Sequence, residues 1–352
     1  MKTVHVSASK SYDVLIGSGL LEQAGSLIRA AAPAGRAMLV ADDTVFSLYG
    51  AALIQALNAA DYAVETFVFP HGEASKNGNT YLSLLNAMAE KGITRSDITV
   101  ALGGGVTGDM AGFAAATYMR GMRWVQVPTT LLSAVDASVG GKTAIDLPSG
   151  KNLAGAFWQP SLVLCDCSTL ATLPEAVFTD GCAEVIKYGV IADAALFEQL
   201  KNPIQPQLED IIAACVSIKS DVVQNDEFDT GRRKILNFGH TVGHAVEKCS
   251  GFSVSHGRAV AIGMAVASRA ASRRGLCTAA CAEEIQALLT AYNLPVTTEY
   301  GAEALAPAML SDKKRAGGTI DMILPRKTGE CGIFPTPVDA LDGLLRAGLE
   351  VL

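Results

Sequence analysis

The chain contains the stretch Ile98-Thr99-Val100-Ala101-Leu102-Gly103-Gly104-Gly105-Val106-Thr107-Gly108-Asp109, an apolar run followed by a glycine-rich turn. The run predicts a buried strand, and residues 110–118 predict a helix directly after it. Such strand–turn–helix units build parallel sheets. The glycines also fit G-x-G-x-x-G, a pattern that lets a pyrophosphate approach a helix N-terminus. The pattern differs from the standard Rossmann fingerprint, because two strand–helix units precede it and no acidic residue follows the next strand. By itself the stretch leaves a tight turn and a nucleotide loop equally open.

The same alternation extends outward from this stretch. Further strands are predicted at 36–40, 64–69, 124–127 and 162–165, with helices at 52–60 and 81–91 between them. From residue 174 onward the pattern changes to long amphipathic helices, predicted at 174–190, 208–225, 235–249, 258–274 and 278–292, with one hairpin at 319–334. We therefore predict a Rossmann-like α/β domain with a mostly parallel sheet over 1–173 and a mainly α-helical domain over 174–352.

Composition narrows the class of protein. Hydrophobic residues at 49% and charged residues at 18% indicate a packed globular chain. A net charge of −7 argues against nucleic acid as a partner. No apolar run approaches the roughly 18 residues that span a bilayer, so no membrane association is expected. The N-terminus lacks the apolar core of a signal peptide, and the eight cysteines are scattered, so free thiols and a cytoplasmic location are expected.

Two glycine-containing segments of the first domain carry possible anion contacts. In His71–Lys76, Glu73 can bind ribose hydroxyls and Lys76 can face a phosphate, although a solvated loop with a helix cap is the alternative. Residues 136–143 end in Gly-Gly-Lys-Thr but lack the first glycine of a Walker A loop, which excludes that motif. We interpret Lys142 and Lys151 as anion contacts in a long loop.

The second domain concentrates metal-ligand chemistry. Three of the five histidines are His240, His244 and His256. If residues 237–249 form a helix, His240 and His244 lie one turn apart and can reach one cation or one substrate. Glu184 and Lys187 are three residues apart on another predicted helix. A metal for Glu184 and an anion for Lys187 would account for such charges, and an exposed ion pair is the alternative.

Taken together, these residues resemble the 3-dehydroquinate synthases of the shikimate pathway. The matching segments occur in order along most of the chain: Gly72-Glu73, Gly103–Asp109, Thr129-Thr130, Asp136–Thr143, Gly150–Asn152, Glu184–Lys187, Asn237–His244, His256-Gly257 and Asp312–Lys314. The resemblance implies a dehydroquinate synthase-like fold with the active site between two domains. It also implies conversion of 3-deoxy-D-arabino-heptulosonate 7-phosphate to 3-dehydroquinate and phosphate, with transient NAD-dependent oxidation at C5.

The resemblance also implies roles for individual residues. A divalent metal, zinc or cobalt, would be held by Glu184, His240 and His256, while His244 would face the substrate. The implied NAD contacts are Glu73, Lys76, Gly104, Gly105, Val106, Asp109, Thr129, Thr130, Lys142, Lys151, Thr169 and Thr172. The implied catalytic and substrate-binding residues are Asp136, Lys142, Lys151, Asn152, Lys187, Lys219, Arg233, Asn237, His244, Lys313, Lys314 and Arg120. Arg120 would reach the phosphate bound by a neighbouring subunit, which implies a homodimer.

Three other hypotheses for the function stay open. The chain could be another sugar phosphate cyclase, such as a 2-deoxy-scyllo-inosose or aminodehydroquinate synthase, or a metal-dependent polyol dehydrogenase. The third hypothesis is an inactive protein that binds NAD or sugar phosphate. Two positions also depart from the resembled family. His71 stands where glycine, proline or aspartate is common, and Arg258 stands where glutamate is frequent. We expect Arg258 to lower metal affinity by charge repulsion.

Overall fold

The computed structural model describes residues 1–312 and 318–350, which form two compact units. The first consists of Met1–Leu173 and Leu208–Phe228, and the second of Pro174–Gln207 and Asp229–Leu352. The change of unit after Leu173 coincides with the boundary expected from the sequence. Residues 208–228, assigned to the second domain from the sequence, belong instead to the first unit. Lys313 and Lys314 lie outside the described residues.

A seven-stranded sheet forms the centre of the first unit, in the order β1-β2-β9-β6-β5-β3-β4. All neighbouring strands are parallel except β1 and β2, which form an antiparallel hairpin at one edge. The strands are β1 (Lys2–Val6), β2 (Tyr12–Gly17), β3 (Arg36–Asp42), β4 (Ala63–Phe69), β5 (Ile98–Gly103), β6 (Arg123–Pro128) and β9 (Leu162–Asp166). The predicted mostly parallel sheet is thus confirmed.

Helices cover both faces of this sheet. They are α1 (Ala24–Ala31), α2 (Asp43–Val45), α3 (Ala51–Ala59), α4 (Gly78–Glu90), α5 (Gly105–Thr117) and α8 (Leu208–Asn225). Successive residues of β3 point to opposite faces, so Leu39 packs into a core with α1 and α3, whereas Met38 and Val40 pack into a core with α4 and α5. Side chains cap the start of two of these helices: Asp42 accepts a hydrogen bond from Val45 N of α2, and Asn77 caps α4.

The second unit is mainly helical, as predicted. Its elements are α6 (Glu175–Ala192), α7 (Ala194–Gln199), α9 (His240–Cys249), α10 (His256–Arg273), α11 (Ala279–Ala291), α12 (Ala302–Asp312), α13 (Leu341–Leu349) and the antiparallel hairpin of β10 (Thr319–Lys327) and β11 (Glu330–Pro337). Helix α10 is buried along most of its length and packs against α6, α9, α11 and α13. Across the described ranges, no helix combines the length and apolarity needed to cross a bilayer.

Three sequence-based assignments of structure were wrong. Residues 142–157 are not a long loop but an antiparallel hairpin of β7 (Lys142–Leu147) and β8 (Gly150–Phe157), which packs on α5. The predicted helix 235–249 is interrupted: a 3-10 turn ends at Asn237, Gly239 adopts a φ of +80°, and α9 begins only at His240. Helix α8 packs on β1 and β2 of the first unit, although the sequence placed it in the second domain. Periodicity reveals that a helix has an apolar face, but it does not reveal which surface that face will cover.

Candidate functional site

The glycine-rich turn after β5 has the geometry of an anion-binding loop. Gly104 is the N-cap residue of α5 and has an extended backbone. Because glycine has no side chain to accept a hydrogen bond, Gly104 does not cap the first backbone amides of α5. An added Cβ at Gly108 would lie 2.1 Å from Gln126 Nε2 of the adjoining strand, so a larger residue there would have to displace the Gln126 side chain. The predicted contacts Gly104, Gly105 and Val106 thus line a helix N-terminus suited to a phosphate.

The other predicted cofactor contacts follow the carboxyl ends of neighbouring strands. Glu73 is exposed in a turn after β4, Thr129 and Thr130 follow β6, and Thr169 and Thr172 lie in a 3-10 turn after β9. Thr129 N donates to Gly103 O at 3.0 Å, which joins the loops after β5 and β6. The carboxyl edge of an open parallel sheet is where ligands bind in such folds.

Thr169 and Thr172 have contacts that the sequence did not predict. Tyr49 Oη lies 3.0 Å from Thr169 O, to which it donates, and 2.5 Å from Thr172 Oγ1. Tyr49 precedes α3, so it ties the turn after β9 to the helical segment after β3.

Lys76 forms a buried polar centre next to this edge. Its side chain is 5% exposed, and Nζ donates to Asp109 Oδ2 and Asn152 Oδ1, both at 2.5 Å. Burial lowers the pKa of Lys76, but the neighbouring carboxylates, Asp109 foremost, together outweigh burial and raise the pKa above its usual value. The structure therefore brings together two residues predicted for NAD and one predicted for substrate.

The β7–β8 hairpin places the remaining predicted contacts of the first unit. Asn152 has a φ of +55°, and its N–H donates to Asp146 Oδ1 at 2.8 Å. Lys142 and Lys151 are both exposed, but Lys142 begins β7 opposite Phe157, whereas Lys151 lies next to the turn. The two lysines therefore stand at different ends of the hairpin.

A second lysine–aspartate contact joins α8 to the turn containing Asp136. Lys219 is buried, and its Nζ donates to the Asp136 carbonyl at 2.7 Å and also to the Asp136 carboxylate. Arg120 is exposed at the end of a 3-10 turn, with a φ of +65°.

The second unit contains the histidine–glutamate cluster, which we define as Glu184, His240 and His256. One ligand atom from each lies within 4.8 Å of the others. Glu184 Oε1 is 3.3 Å from His240 Nε2 and 3.5 Å from His256 Nε2. The side chain of Glu184 is fully buried; within the described residues no donor reaches its Oε1 in good hydrogen-bond geometry, whereas its Oε2 faces the Lys187 ammonium. A buried carboxylate facing two imidazoles fits a divalent cation.

The tautomer of His240 supports this fit. His240 Nδ1 lies 3.1 Å from the carbonyl of Phe238, to which it can donate. That contact directs the Nε2 lone pair towards Glu184, where two lone pairs would repel each other unless a cation or a proton lay between them. On the opposite side, Glu184 forms a buried ion pair with Lys187.

Carboxylates on two sides surround His256. Its Nε2 faces Glu184, and its Nδ1 lies 3.6 Å from Glu247 Oε2. Burial lowers the pKa of His256, but the two carboxylates outweigh burial and raise the pKa to about 10. Glu247 was not predicted, although it lies seven residues after His240, on the same face of α9.

The remaining predicted residues of the second unit surround this cluster or precede it. The ring of His244 lies 5.6 Å from that of His240 and 6.1 Å from that of His256. His244, Glu247 and His256 form a second group with metal-ligand geometry. Arg233 is buried and Asn237 half-buried in the 3-10 turn before α9.

Comparison with known proteins covers nearly the whole chain. Residues 66–180 match the family described as 3-dehydroquinate synthase N-terminal, and residues 181–315 match 3-dehydroquinate synthase C-terminal. The chain is 42% identical over 352 residues to the 3-dehydroquinate synthase of Enterococcus faecalis, covering 98% of each chain. It is 45% identical over 349 residues to that of Caulobacter vibrioides, covering 94% of each.

Solved structures of other synthases have the same fold. A 2-deoxy-scyllo-inosose synthase complexed with carbaglucose-6-phosphate, NAD+ and Co2+ has a TM-score of 0.88 at 26% identity, covering 99% of this chain and 100% of that one. The 2-epi-5-epi-valiolone synthase from Streptomyces hygroscopicus, with NAD+ and Zn2+ bound, has a TM-score of 0.87 at 30% identity, covering 97% and 98%. An iron-containing alcohol dehydrogenase at 14% identity and a TM-score of 0.69 shares the fold alone.

Proposed function

Because the chain belongs to the 3-dehydroquinate synthase family, we propose that it converts 3-deoxy-D-arabino-heptulosonate 7-phosphate to 3-dehydroquinate and inorganic phosphate. The observation that carries the proposal is the 42% identity over 98% of the chain to a relative of that name. The 2-deoxy-scyllo-inosose synthase is less similar in sequence, at 26%. Identity that extends over both units favours the family's own substrate over that of another cyclase.

We propose NAD and a divalent metal as cofactors. Two related synthases bind NAD+ together with Co2+ or Zn2+, which supports both cofactors. The glycine turn of the first unit supports NAD, and the histidine–glutamate cluster of the second unit supports the metal. When bound, NAD supplies a reversible hydride acceptor and the metal supplies a Lewis acid for the substrate hydroxyls. Glu184, His240 and His256 would hold the metal, and the residues at the carboxyl edge of the sheet would hold NAD.

The chain's own residues then bind and orient an acidic substrate. A sugar acid phosphate carries a carboxylate and a phosphate, and both groups bind best to charged hydrogen-bond donors. We assign that role to Lys151, Lys187, Lys219 and Arg233, and a polar contact to Asn152, Asn237 and His244. The buried Lys187 holds its ammonium next to Glu184, where it can donate to a substrate oxygen near the metal position.

The ion pair of Asp136 with Lys219 fixes the direction of that lysine. A homodimer in which Arg120 completes the neighbouring site and a cytoplasmic location remain predictions.

Phosphate release tests the proposal. Purified protein with NAD and zinc should release phosphate from the heptulosonate phosphate, and a chelator should stop the release. Release from glucose 6-phosphate alone would favour the 2-deoxy-scyllo-inosose synthase reaction, which the structural likeness keeps as the second candidate. Steady accumulation of NADH during turnover would indicate a polyol dehydrogenase, because a synthase returns its hydride in every cycle. No release from either sugar would refute the proposal.

A further inference from the structure

His256 is the most exposed member of the histidine–glutamate cluster. Its side chain is 34% exposed, against 12% for His240 and 0% for Glu184. His240 is oriented by the carbonyl of Phe238, whereas His256 Nδ1 is 3.6 Å from Glu247, longer than an ordinary hydrogen bond. Packing and direct hydrogen bonds therefore fix His256 less than they fix the other two residues, and its position depends on where α10 begins.

The start of α10 is held by a residue of another helix. Ser255 is the N-cap of α10, yet its side chain makes no cap bond to its own helix. Instead Asp180 Oδ1, on α6, accepts from Arg258 N at 3.1 Å and from Ser255 Oγ. Asp180 thus satisfies a helix N-terminus that is 75 residues away in sequence, and its negative charge suits that end of the helix.

The same helix that provides this cap also carries Glu184. Asp180 and Glu184 are at i and i+4 on α6, so they lie one turn apart on one face. The two helices also touch backbone to backbone, because a Cβ on Gly257 would lie 2.0 Å from Asp180 O. One turn of α6 therefore holds the start of α10 while the next turn presents a carboxylate to His256.

We infer that Asp180 is a positioning residue for the metal site: by capping α10 from α6, it sets the distance between His256 and Glu184. This inference rests on the metal site of the proposed function. Outer-shell partners of metal ligands typically change metal affinity by about 10–100-fold when removed. We expect an effect of that size from Asp180→Ala, since it removes the acceptor for both donors.

Zinc affinity, measured by competition with a chelating dye, and the visible spectrum of the Co2+-loaded protein test the inference without reference to turnover. Asp180→Ala should weaken zinc binding by about 10–100-fold and alter the cobalt spectrum. Asp180→Asn keeps an acceptor oxygen and should restore both properties. Ser255→Ala removes one of the two donors and should give a smaller loss, and it also serves if Asp180→Ala does not fold.

Asp193→Ala is the matched control. Asp193 caps α7, a helix without a member of the cluster, by accepting from Ala195 N and Leu196 N. Its loss should leave zinc affinity unchanged. Wild-type affinity and spectrum in both Asp180→Ala and Ser255→Ala would overturn the inference, as would an Asp180→Asn protein as weak as Asp180→Ala. If the wild-type protein bound no zinc, the metal site of the proposed function would be overturned together with this inference.

Discussion

Replacing Gly257 with alanine should damage the metal site through a displacement whose size the structure gives. The new Cβ would lie 2.0 Å from Asp180 O, whereas ordinary contact begins at 3.4 Å, so the start of α10 must move away from α6 by about 1.4 Å. Zinc–nitrogen bonds of about 2.0–2.1 Å tolerate changes of only about 0.2 Å. His256 directly precedes Gly257 and would move with it, so the cluster would lose one ligand position.

The expected result is a loss of zinc affinity of at least about 100-fold, the upper end for an outer-shell change, because a ligand itself is displaced. Overpacking should also lower the free energy of unfolding by about 1–3 kcal/mol. Zinc titration against a competing chelator measures the first effect, and thermal unfolding of the metal-free protein measures the second.

Gly343→Ala provides a matched control within a helix of the same unit. An added Cβ at Gly343 of α13 meets no atom of the described residues within 4 Å, so alanine there should be neutral or raise the free energy of unfolding by up to about 1 kcal/mol. Its zinc affinity should equal that of the wild type. If Gly257→Ala bound zinc as tightly as Gly343→Ala, the close contact of α6 with α10 would not govern the site, and the reasoning would be refuted.

Three further changes test other parts of the structure. Glu184→Gln should abolish zinc binding in a chelator competition, and normal zinc affinity would show that Glu184 is not a ligand. The same change should lower the free energy of unfolding by about 3–5 kcal/mol, because it leaves Lys187 buried without its carboxylate. Arg258→Glu reverses an exposed charge two residues after His256 and should raise zinc affinity by about fivefold or more, since each pair of unit charges contributes about 1 kcal/mol at 4 Å in water; unchanged affinity would refute the expected repulsion. The hydrogen bond from His71 lowers the pKa of Asp43, so this contact stabilises the fold above the usual aspartate pKa, and the stabilisation is lost as the pH falls through the lowered pKa. His71→Ala should therefore raise the pKa of Asp43 in an NMR titration, and an unchanged pKa would contradict the contact.

Much of the architecture could be read from local pattern. The apolar run before Gly103 and the amphipathic period of Leu208–Asn225 indicated the elements that the structure contains, since strand and helix periodicity are local properties of a chain. The glycines at 103–108 allowed a helix N-terminus open to an anion, but by themselves they left a simple tight turn equally open. The break at Gly239 was missed, because the periodicity of the flanking residues continues across it.

The candidate site was less completely predictable. The resemblance to the family implied Glu184, His240 and His256, whereas spacing alone had paired His240 with His244, and the structure brings the ligand atoms of the implied set within 4.8 Å of one another. Glu247 and Asp180 were missed, because each acts on His256 through space and neither lies within a recognisable spacing of it in sequence. Lys313 and Lys314 lie outside the described residues and stay predictions.

The sequence alone therefore determined the type of most elements, the chemistry of the candidate ligands and the resemblance to the family. Tertiary structure decided which elements pack together: α8 joined the first unit, residues 142–157 formed a hairpin on α5, and α6 came close enough to α10 for Asp180 to cap it. Periodicity depends on neighbours three or four residues apart, whereas these contacts join residues as far apart in sequence as Lys2 of β1 and Asp210 of α8. Such contacts form only when apolar faces are complementary in shape and glycines allow the backbones to approach closely.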